Sequence, residues 1–411
     1  MTAEVLVPLE FNAGFYHFNM PLTIPAALLP RGMRVADVIR FRAVINSVLP
    51  NPPIISTTHV LNLEGSEHNG TRVTLNLTPN NVQAPDSTDL HLSYAMCTDQ
   101  ISAALLVEPP QQFAADPRGS FALFVSPPSQ PVGQLARHVV FVIDRSGSMT
   151  GEPYEEACRA LDVAMMDLRP GDWFNVVAFD GNQSVFNLTM VPAAPAAAQA
   201  ASLWVRQNGP QGGATDINTP LMWAMKLLQE GQDRLAASGA TALPVVVLLT
   251  DGCVDNERQI VRNVQMLNHG TRIHTFGIGP YCNWYFLKML SFISKGFNAN
   301  VMTKEKIQPE IIKLMQQTQL PLLTDVQLVM QVQDCELYPF PIPDLFGGSP
   351  LTVAGKWAGP AFPESITLQG RLPNGQMYQQ RVYSTASALV PVNKVFVRQR
   401  LDLLIAKVLA L

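Results

Sequence analysis

The chain has 411 residues, of which 47% are hydrophobic and 15% charged, with a formal net charge of −4. At ~100–200 residues per domain the length predicts two or three domains, and the apolar fraction excludes a disordered chain. The weakly acidic balance excludes the basic footprint of a nucleic-acid-binding protein, and the low charge with 33 Pro fits short strands and loops better than long solvated helices.

Residues 1–130 read as all-β. Candidate strands are Val5–Phe11, Phe15–Leu22, Ile39–Ile45, Ser56–Leu63, Arg72–Leu77, Leu90–Ala95, Ala103–Val107 and Phe121–Val125. Arg72-Val-Thr-Leu-Asn-Leu77 alternates polar and apolar, the period of a half-buried strand. Pro- and Asn-rich segments such as Leu49-Pro-Asn-Pro-Pro53 separate the runs, which suggests a sandwich.

The pattern changes at His138. His138-Val-Val-Phe-Val-Ile143 is a continuous apolar run, as expected for a strand covered on both faces. Helices are predicted over Pro153–Leu168, Ala193–Asn208, Asn218–Leu235, Glu257–Leu267, Trp284–Ser294 and Ile307–Thr318. Leu221, Ala224, Met225 and Leu228 supply the helical apolar spacing of the third of these. Strands over Trp173–Phe179, Ser184–Met190, Pro244–Leu249, Arg272–Ile278 and Asn298–Met302 alternate with them, giving a doubly wound, Rossmann-like sheet.

After Leu320 the chain turns β again, with strands over Val326–Val332, Leu351–Ala354, Ser365–Leu368 and Gln379–Tyr383. Phe396–Leu411 fits a helix with Val397, Leu401, Leu404, Val408 and Leu411 on the face that covers the β domain. Residues 321–396 alone are few for a stable core, so the two β segments are expected to pair, with the α/β domain inserted between them. The organisation is therefore a β-sandwich first part over 1–132, an α/β domain over 133–318, a sandwich second part over 319–396 and a C-terminal helix over 397–411.

In an open α/β sheet, ligands bind beyond the carboxyl ends of the strands. There the chain carries Asp144-Arg-Ser-Gly-Ser148, in which Asp144, Ser146 and Ser148 alternate and, on an extended segment, would face one point. Thr215 in Gly212-Gly-Ala-Thr-Asp216 and Asp251 in Thr250-Asp-Gly252 stand at other strand-to-helix junctions. Five oxygen donors without nitrogen or sulfur describe a site for Mg²⁺ or Mn²⁺. Two carboxylates do not over-neutralise a divalent ion, so a partner's Asp or Glu can supply a further ligand. Gly147, Gly212, Gly213 and Gly252 are expected where backbone bends around the ion. The competing reading is that Asp144, Ser146 and Ser148 cap the following helix.

Phe141-Val-Ile-Asp-Arg-Ser-Gly-Ser-Met149, Gly213-Ala-Thr-Asp-Ile217 and Leu248-Leu-Thr-Asp-Gly252 resemble the metal-ion-dependent adhesion site (MIDAS) of von Willebrand factor A domains. Phe276-Gly-Ile-Gly-Pro-Tyr-Cys-Asn-Trp-Tyr-Phe-Leu-Lys-Met-Leu290, Pro321-Leu-Leu-Thr-Asp-Val326 and Pro343-Asp-Leu-Phe-Gly-Gly-Ser-Pro350 resemble proteins related to inter-alpha-trypsin inhibitor heavy chains, in particular plant-type members. The resemblance implies that Ser146, Ser148 and Thr215 touch the ion directly, that Asp144 and Asp251 act directly or through water, and that a β-sandwich carries the A domain. It also implies a complete vault/inter-alpha-trypsin β domain in front, whereas this chain starts near the place where that domain ends. The attachment segment that couples heavy chains to a glycosaminoglycan has no counterpart before Leu411, so coupling to hyaluronan is not implied.

The function expected is a non-enzymatic, protein-binding module. The alternatives are a metal-dependent hydrolase at the same site and a structural scaffold. A hydrolase needs a general base. Asp216 is the nearest candidate and reads better as a helix cap, while His138 and His274 read as buried structural residues. No Gly-x-Ser-x-Gly elbow or Walker A loop occurs, and Gly277-Ile-Gly279-Pro280 lacks the third glycine of a dinucleotide loop. Five scattered Cys without a Cys-x-x-Cys pair indicate neither zinc nor a disulfide framework. The sequons at Asn69, Asn76, Asn182 and Asn187 are expected to be silent. Without a signal peptide or an apolar run of ~18 residues, the expected setting is cytoplasmic with no membrane span. The five Trp are expected in the core.

Overall fold

The computed structural model describes residues 9–12, 14–21, 31, 42–46, 53–65, 70–75, 89–95, 99–110, 116–128, 135–237, 240–251, 254–280, 282–303, 306–318, 321–347, 349–359, 361–387 and 390–408. They belong to two units, one of Met1–Ala103, Val125–Pro131 and Gly347–Pro350, the other of Ala104–Phe124, Val132–Phe346 and Leu351–Leu411.

The first unit holds β1 (Glu10–Asn12), β2 (Phe15–Met20), β3 (Arg42–Asn46), β4 (Ile54–Ser56), β5 (Leu61–Gly65), β6 (Gly70–Leu75) and β7 (Leu90–Ala95). They form an antiparallel sheet ordered β1-β2-β7-β4 and a second ordered β3-β6-β5. Ile45 from one sheet and Ile54 and Leu92 from the other share a buried cluster. The strand expected over Ser56–Leu63 is broken. Ser56 Oγ accepts the backbone N–H groups of Thr58 (3.3 Å) and His59 (3.1 Å), a local turn that competes with the ladder. Parts of the strands expected over Val5–Phe11, Ile39–Ile45 and Arg72–Leu77 lie outside the described residues.

Two strands lie mainly in the second unit ahead of its α/β part, β8 (Ser102–Glu108) and β9 (Gly119–Ser126). The α/β part runs β10 (Ala136–Asp144), α1 (Glu152–Met166), β11 (Trp173–Phe179), β12 (Gln183–Val185), β13 (Val191–Pro192), α2 (Pro195–Gln207) and α3 (Asn218–Ala236). It continues with β14 (Ala242–Thr250), α4 (Glu257–Leu267), β15 (Arg272–Ile278), α5 (Trp284–Ile293), β16 (Asn298–Val301) and α6 (Ile307–Thr318). The sheet order is β12-β11-β10-β14-β15-β16, parallel from β11 to β16, with β12 and β13 antiparallel to β11. The chain steps from β10 to β11 on one side and later returns to β14 on the other.

Alternate residues of β10 explain the double winding. Val139, Phe141 and Ile143 pack with Leu161, Val205 and Ile311 from α1, α2 and α6. Val140 and Val142 pack with Leu228, Ile260 and Leu290 from α3, α4 and α5. Each fully buried aliphatic or aromatic side chain contributes ~1.5–3 kcal/mol. The single strand expected over Ser184–Met190 is instead a loop between two short strands. Asn175, with no exposed surface, donates from Nδ2 to the carbonyls of Asn187 (2.7 Å) and Thr189 (2.9 Å) and holds that loop off the ladder.

Six strands follow the α/β part: β17 (Pro321–Val329), β18 (Gln333–Tyr338), β19 (Leu345–Phe346), β20 (Leu351–Ala358), β21 (Ser365–Arg371) and β22 (Met377–Ala386). They share an eight-stranded sheet with β8 and β9, in the order β18-β20-β9-β8-β22-β21-β17-β19. Helix α7 (Val392–Val408) buries Val392, Val395 and Phe396 against Ala122 and Ala354. It begins four residues earlier than expected, and the stripe assigned to its buried face is on the outside: Val397 is 52%, Leu401 53% and Leu404 42% exposed. Trp357 is buried, but Trp173 is 39% exposed and departs from the core placement.

At the start of β10, Arg137 and Asp172 form a buried bidentate pair, Nε–Oδ2 3.0 Å and Nη2–Oδ2 2.7 Å, and the Arg137 backbone N–H donates to Asp172 Oδ1 at 2.8 Å. Asp172→Ala leaves the buried guanidinium with only the Asp167 carbonyl (3.2 Å) and a 3.7 Å approach to the Asp167 carboxylate, so urea denaturation should show a loss of ~3 kcal/mol. A midpoint within experimental error of wild type would refute this role for the pair.

Candidate metal centre

The sheet reverses its winding between β11 and β14, and open α/β sheets bind ligands beyond the carboxyl ends of the strands at such a point, here β10 and β14. In the parallel register Ile143 faces Leu249, so Asp144 and Thr250 end their strands side by side. Thr250 Oγ1 donates to Asp144 Oδ2 at 2.5 Å, and the Ser146 backbone N–H donates to Oδ1 at 2.8 Å. Both oxygens of Asp144, a residue with no exposed surface, are thereby fixed.

Beyond Asp144 the chain does not stay extended. Gly147–Met149 is a 3₁₀ turn, closed by Met149 N–H donating to the Ser146 carbonyl (3.0 Å) and anchored by the buried Met149 side chain. This turn brings the Ser146 and Ser148 hydroxyls within 3.2 Å of each other. The capping reading fails here: helix α1 starts after Gly151 with no side-chain cap, and Ser146 makes no cap bond to the turn.

The loop that carries Thr215 is held against the serine turn by its backbone, with Gly147 N–H donating to the Gly213 carbonyl at 3.2 Å. Gly212 has φ +76°, a conformation costly for other residues. A Cβ at Gly213 would sit 3.1 Å from Asp180 Cβ. Gly252 lies outside the described residues. Thr215 is half-buried, and among the described residues no hydrogen bond engages its hydroxyl. Asp216 is not poised as a base, since its Oδ1 accepts the backbone N–H groups of Asn218 (3.0 Å) and Thr219 (3.3 Å) at the start of α3.

Asp180, Arg145 and Thr250 were not assigned by sequence reasoning, yet they set the geometry. The Asp180 carbonyl accepts from Asp216 N–H (3.0 Å), and its carboxylate pairs with Arg145 Nε (3.2 Å) and accepts from Asn182 N–H (2.7 Å). Arg145 also donates to the Asn208 carbonyl and to Ser184 Oγ, both at 3.2 Å. The signal available was position alone: Asp180 follows β11 directly, as Asp144 and Asp251 follow or end their strands.

Burial pushes the Asp144 carboxyl up to about 6, against the hydrogen bonds from Thr250 and Ser146, and the charge of Asp251 adds to the rise. Asp251 itself is 9% exposed, and its carbonyl accepts from Asn283 N–H at 3.1 Å. Among the described residues no group of three or more His, Cys, Asp or Glu gathers, which suits neither zinc nor a carboxylate cage. Paired carboxylates and hydroxyls suit a hard cation. Adjacent oxygens of an octahedral Mg²⁺ lie about 3 Å apart, close to the serine spacing. The structure brings Asp144, Ser146 and Ser148 together, and the charge of Asp251 acts on Asp144, while the loop that carries Thr215 meets the serine turn through the Gly147–Gly213 backbone hydrogen bond. These five could hold Mg²⁺ or Mn²⁺.

Residues 137–299 match the family model of the von Willebrand factor type A domain. Inter-alpha-trypsin inhibitor heavy chain H1 of Sus scrofa is 30% identical over 244 residues, 58% of this chain and 27% of the relative. Heavy chain H2 of Sus scrofa is 29% identical over 245 residues, 58% of this chain and 26% of the relative. The von Willebrand factor A domain-containing protein 5B1 of Mus musculus is 30% identical over 189 residues, 46% of this chain and 15% of that protein. The chain thus spans about a quarter of the length of the heavy chains it matches. The solved structure of a von Willebrand factor type A protein from Catenulispora acidiphila superposes with a TM-score of 0.52, covering 70% of this chain and 75% of that one; at 17% identity the likeness is one of fold. Among the described residues no helix is long and apolar enough to cross a membrane.

The raised Asp144 value has a definite sign in the metal-free chain. Ionisation is disfavoured in the fold, so it costs nothing below the ordinary 3.8, an increasing amount up to about 6, and its full amount above that. The full cost is at most ~3 kcal/mol. In EDTA at pH 8, Asp144→Asn should therefore be more stable to urea than wild type, with the difference vanishing near pH 4. Lower stability of the variant at pH 8 would contradict the assignment.

Proposed function

For a chain that carries a von Willebrand factor type A domain and is related to inter-alpha-trypsin inhibitor heavy chains, we propose a non-enzymatic protein-binding function that depends on a divalent cation. Asp144, Ser146, Ser148, Thr215 and Asp251 would hold Mg²⁺ or Mn²⁺. When bound, the cation supplies a positive centre for an Asp or Glu carboxylate of a partner protein. Ser148 is exposed and stands on the open side, whereas Asp144 and Ser146 form the buried floor. Two carboxylates balance a divalent charge without exceeding it, which leaves room for an acidic ligand. The observation that carries the reading is the 3.2 Å approach of the two serine hydroxyls directly in front of a buried carboxylate.

The same reading takes the A domain as an insertion in a β-sandwich, with β8 and β9 before it and β17 to β22 after it. A-domain proteins are typically interaction modules, which favours binding over turnover. A hydrolase would need a base, and none of the three candidates is suited. The Asp216 carboxylate is occupied as a cap. His138 lies at the far end of β10, and His274 is fully buried with Nδ1 accepting from Phe297 N–H at 2.9 Å. A scaffold whose cation is never used by a partner would differ only in keeping its binding when the site is broken.

Thermal melts and affinity capture from cell extract test the reading together. Saturating Mg²⁺ should raise the wild-type melting temperature by several degrees, as ~2.7 kcal/mol at a hundredfold excess over Kd implies. Asp144→Ala and Ser146→Ala should abolish the rise and release the captured protein, as EDTA does for wild type. Capture that survives EDTA and both substitutions would exclude a cation-dependent interaction.

A further inference from the structure

A second concave site lies at the opposite end of the α/β sheet. It is a pocket of about 280 Å³ between the starts of β10 and β11 and one face of α3. His138 and Trp173, paired in the parallel register, form one wall with Met190. Leu227, Gly231 and Leu235 form the other. Their spacing of four residues keeps them on one side of the helix.

Two features of this pocket work against stability. His138 is 4% exposed, and among the described residues its Nδ1 has no hydrogen-bond partner. Leaving such a group unpaired disfavours the fold. Gly231 stands inside a helix, where glycine is less favourable than alanine. A Cβ there would lie 3.0 Å from His138 Nδ1 and 3.6 Å from Met190 Cγ. The missing side chain keeps open the space in front of the unpaired nitrogen. Trp173, 39% exposed, turns an indole ring to the same opening.

We propose that this pocket binds a small, neutral, aromatic alcohol, whose hydroxyl pairs with His138 Nδ1 and whose ring packs on Trp173 and Met190. A hydroxyl both donates and accepts, so it serves either tautomer of the imidazole. Burial holds the His138 ring below its usual range, with the Asp172 charge opposing, so the ring meets its ligand uncharged. Glu230 and Arg234 at the rim carry opposite charges and select for neither sign. The volume lies at the small end of ligand sites, which limits the ligand to about one ring with short substituents. The site shares no residue with the cation centre.

The test is an NMR titration of the full chain, in Mg²⁺, with p-cresol and with toluene, which differs by the hydroxyl alone. Saturable binding of p-cresol should shift the His138 and Trp173 ring signals, and toluene should bind at least ~fivefold more weakly, the value of one net hydrogen bond. Gly231→Ala should fill the space before Nδ1 and weaken p-cresol more than ~tenfold, and Trp173→Ala, at a partly exposed position, should do the same. Absence of saturable binding at several millimolar, equal affinity for the two probes, or wild-type affinity in Trp173→Ala would overturn the proposal.

Discussion

The parallel pairing of β10 with β14 is the constraint on which the candidate centre rests. It sets Asp144 and Thr250 side by side at the one place where the sheet reverses its winding, and their 2.5 Å hydrogen bond joins the two strand ends. Because Val140, Val142, Val246 and Leu248 are fully buried beneath helices, the strands cannot slide without exposing apolar surface. The rigidity of the core is thus passed to the carboxylate, and a buried acid becomes a fixed feature of the surface crevice.

That acid is poorly satisfied by protein alone. Burial and the Asp251 charge both oppose its ionisation, against the hydroxyls of Thr250 and Ser146 and the Ser146 backbone N–H. A cation in front of the serine pair would remove this conflict. The loops around it need little of their own stability, since Asp180 ties three of them. It receives the guanidinium of the serine loop, turns its own loop through Asn182, and accepts the backbone of the Thr215 loop.

Much of the α/β part is legible in the sequence because its signals are strong and local. Glu257–Leu267, Arg272–Ile278 and Ile307–Thr318 have the ends their patterns indicate. His138–Ile143 reads as a strand covered on both faces, and the two buried clusters use alternate residues of Val139–Ile143. The convergence of Asp144, Ser146 and Ser148 was also legible, though a 3₁₀ turn rather than an extended segment produces it. What was hidden depends on tertiary partners. The Ser56 and Asn175 side chains redirect backbone that propensity assigns to strands. In α7, packing buries Val392, Val395, Phe396 and Leu403, which leaves Val397, Leu401 and Leu404 of the expected apolar stripe toward solvent. The role of Asp180 needs three loops at once, and no spacing along the chain encodes it.

The most direct measurement of the central claim is anomalous X-ray scattering from a crystal grown with Mn²⁺. One strong peak is expected in bonding range of both Ser146 Oγ and Ser148 Oγ, with Asp144 and Asp251 on its inner side. A fully ordered serine turn with no peak in front of it, at saturating Mn²⁺, would contradict the account.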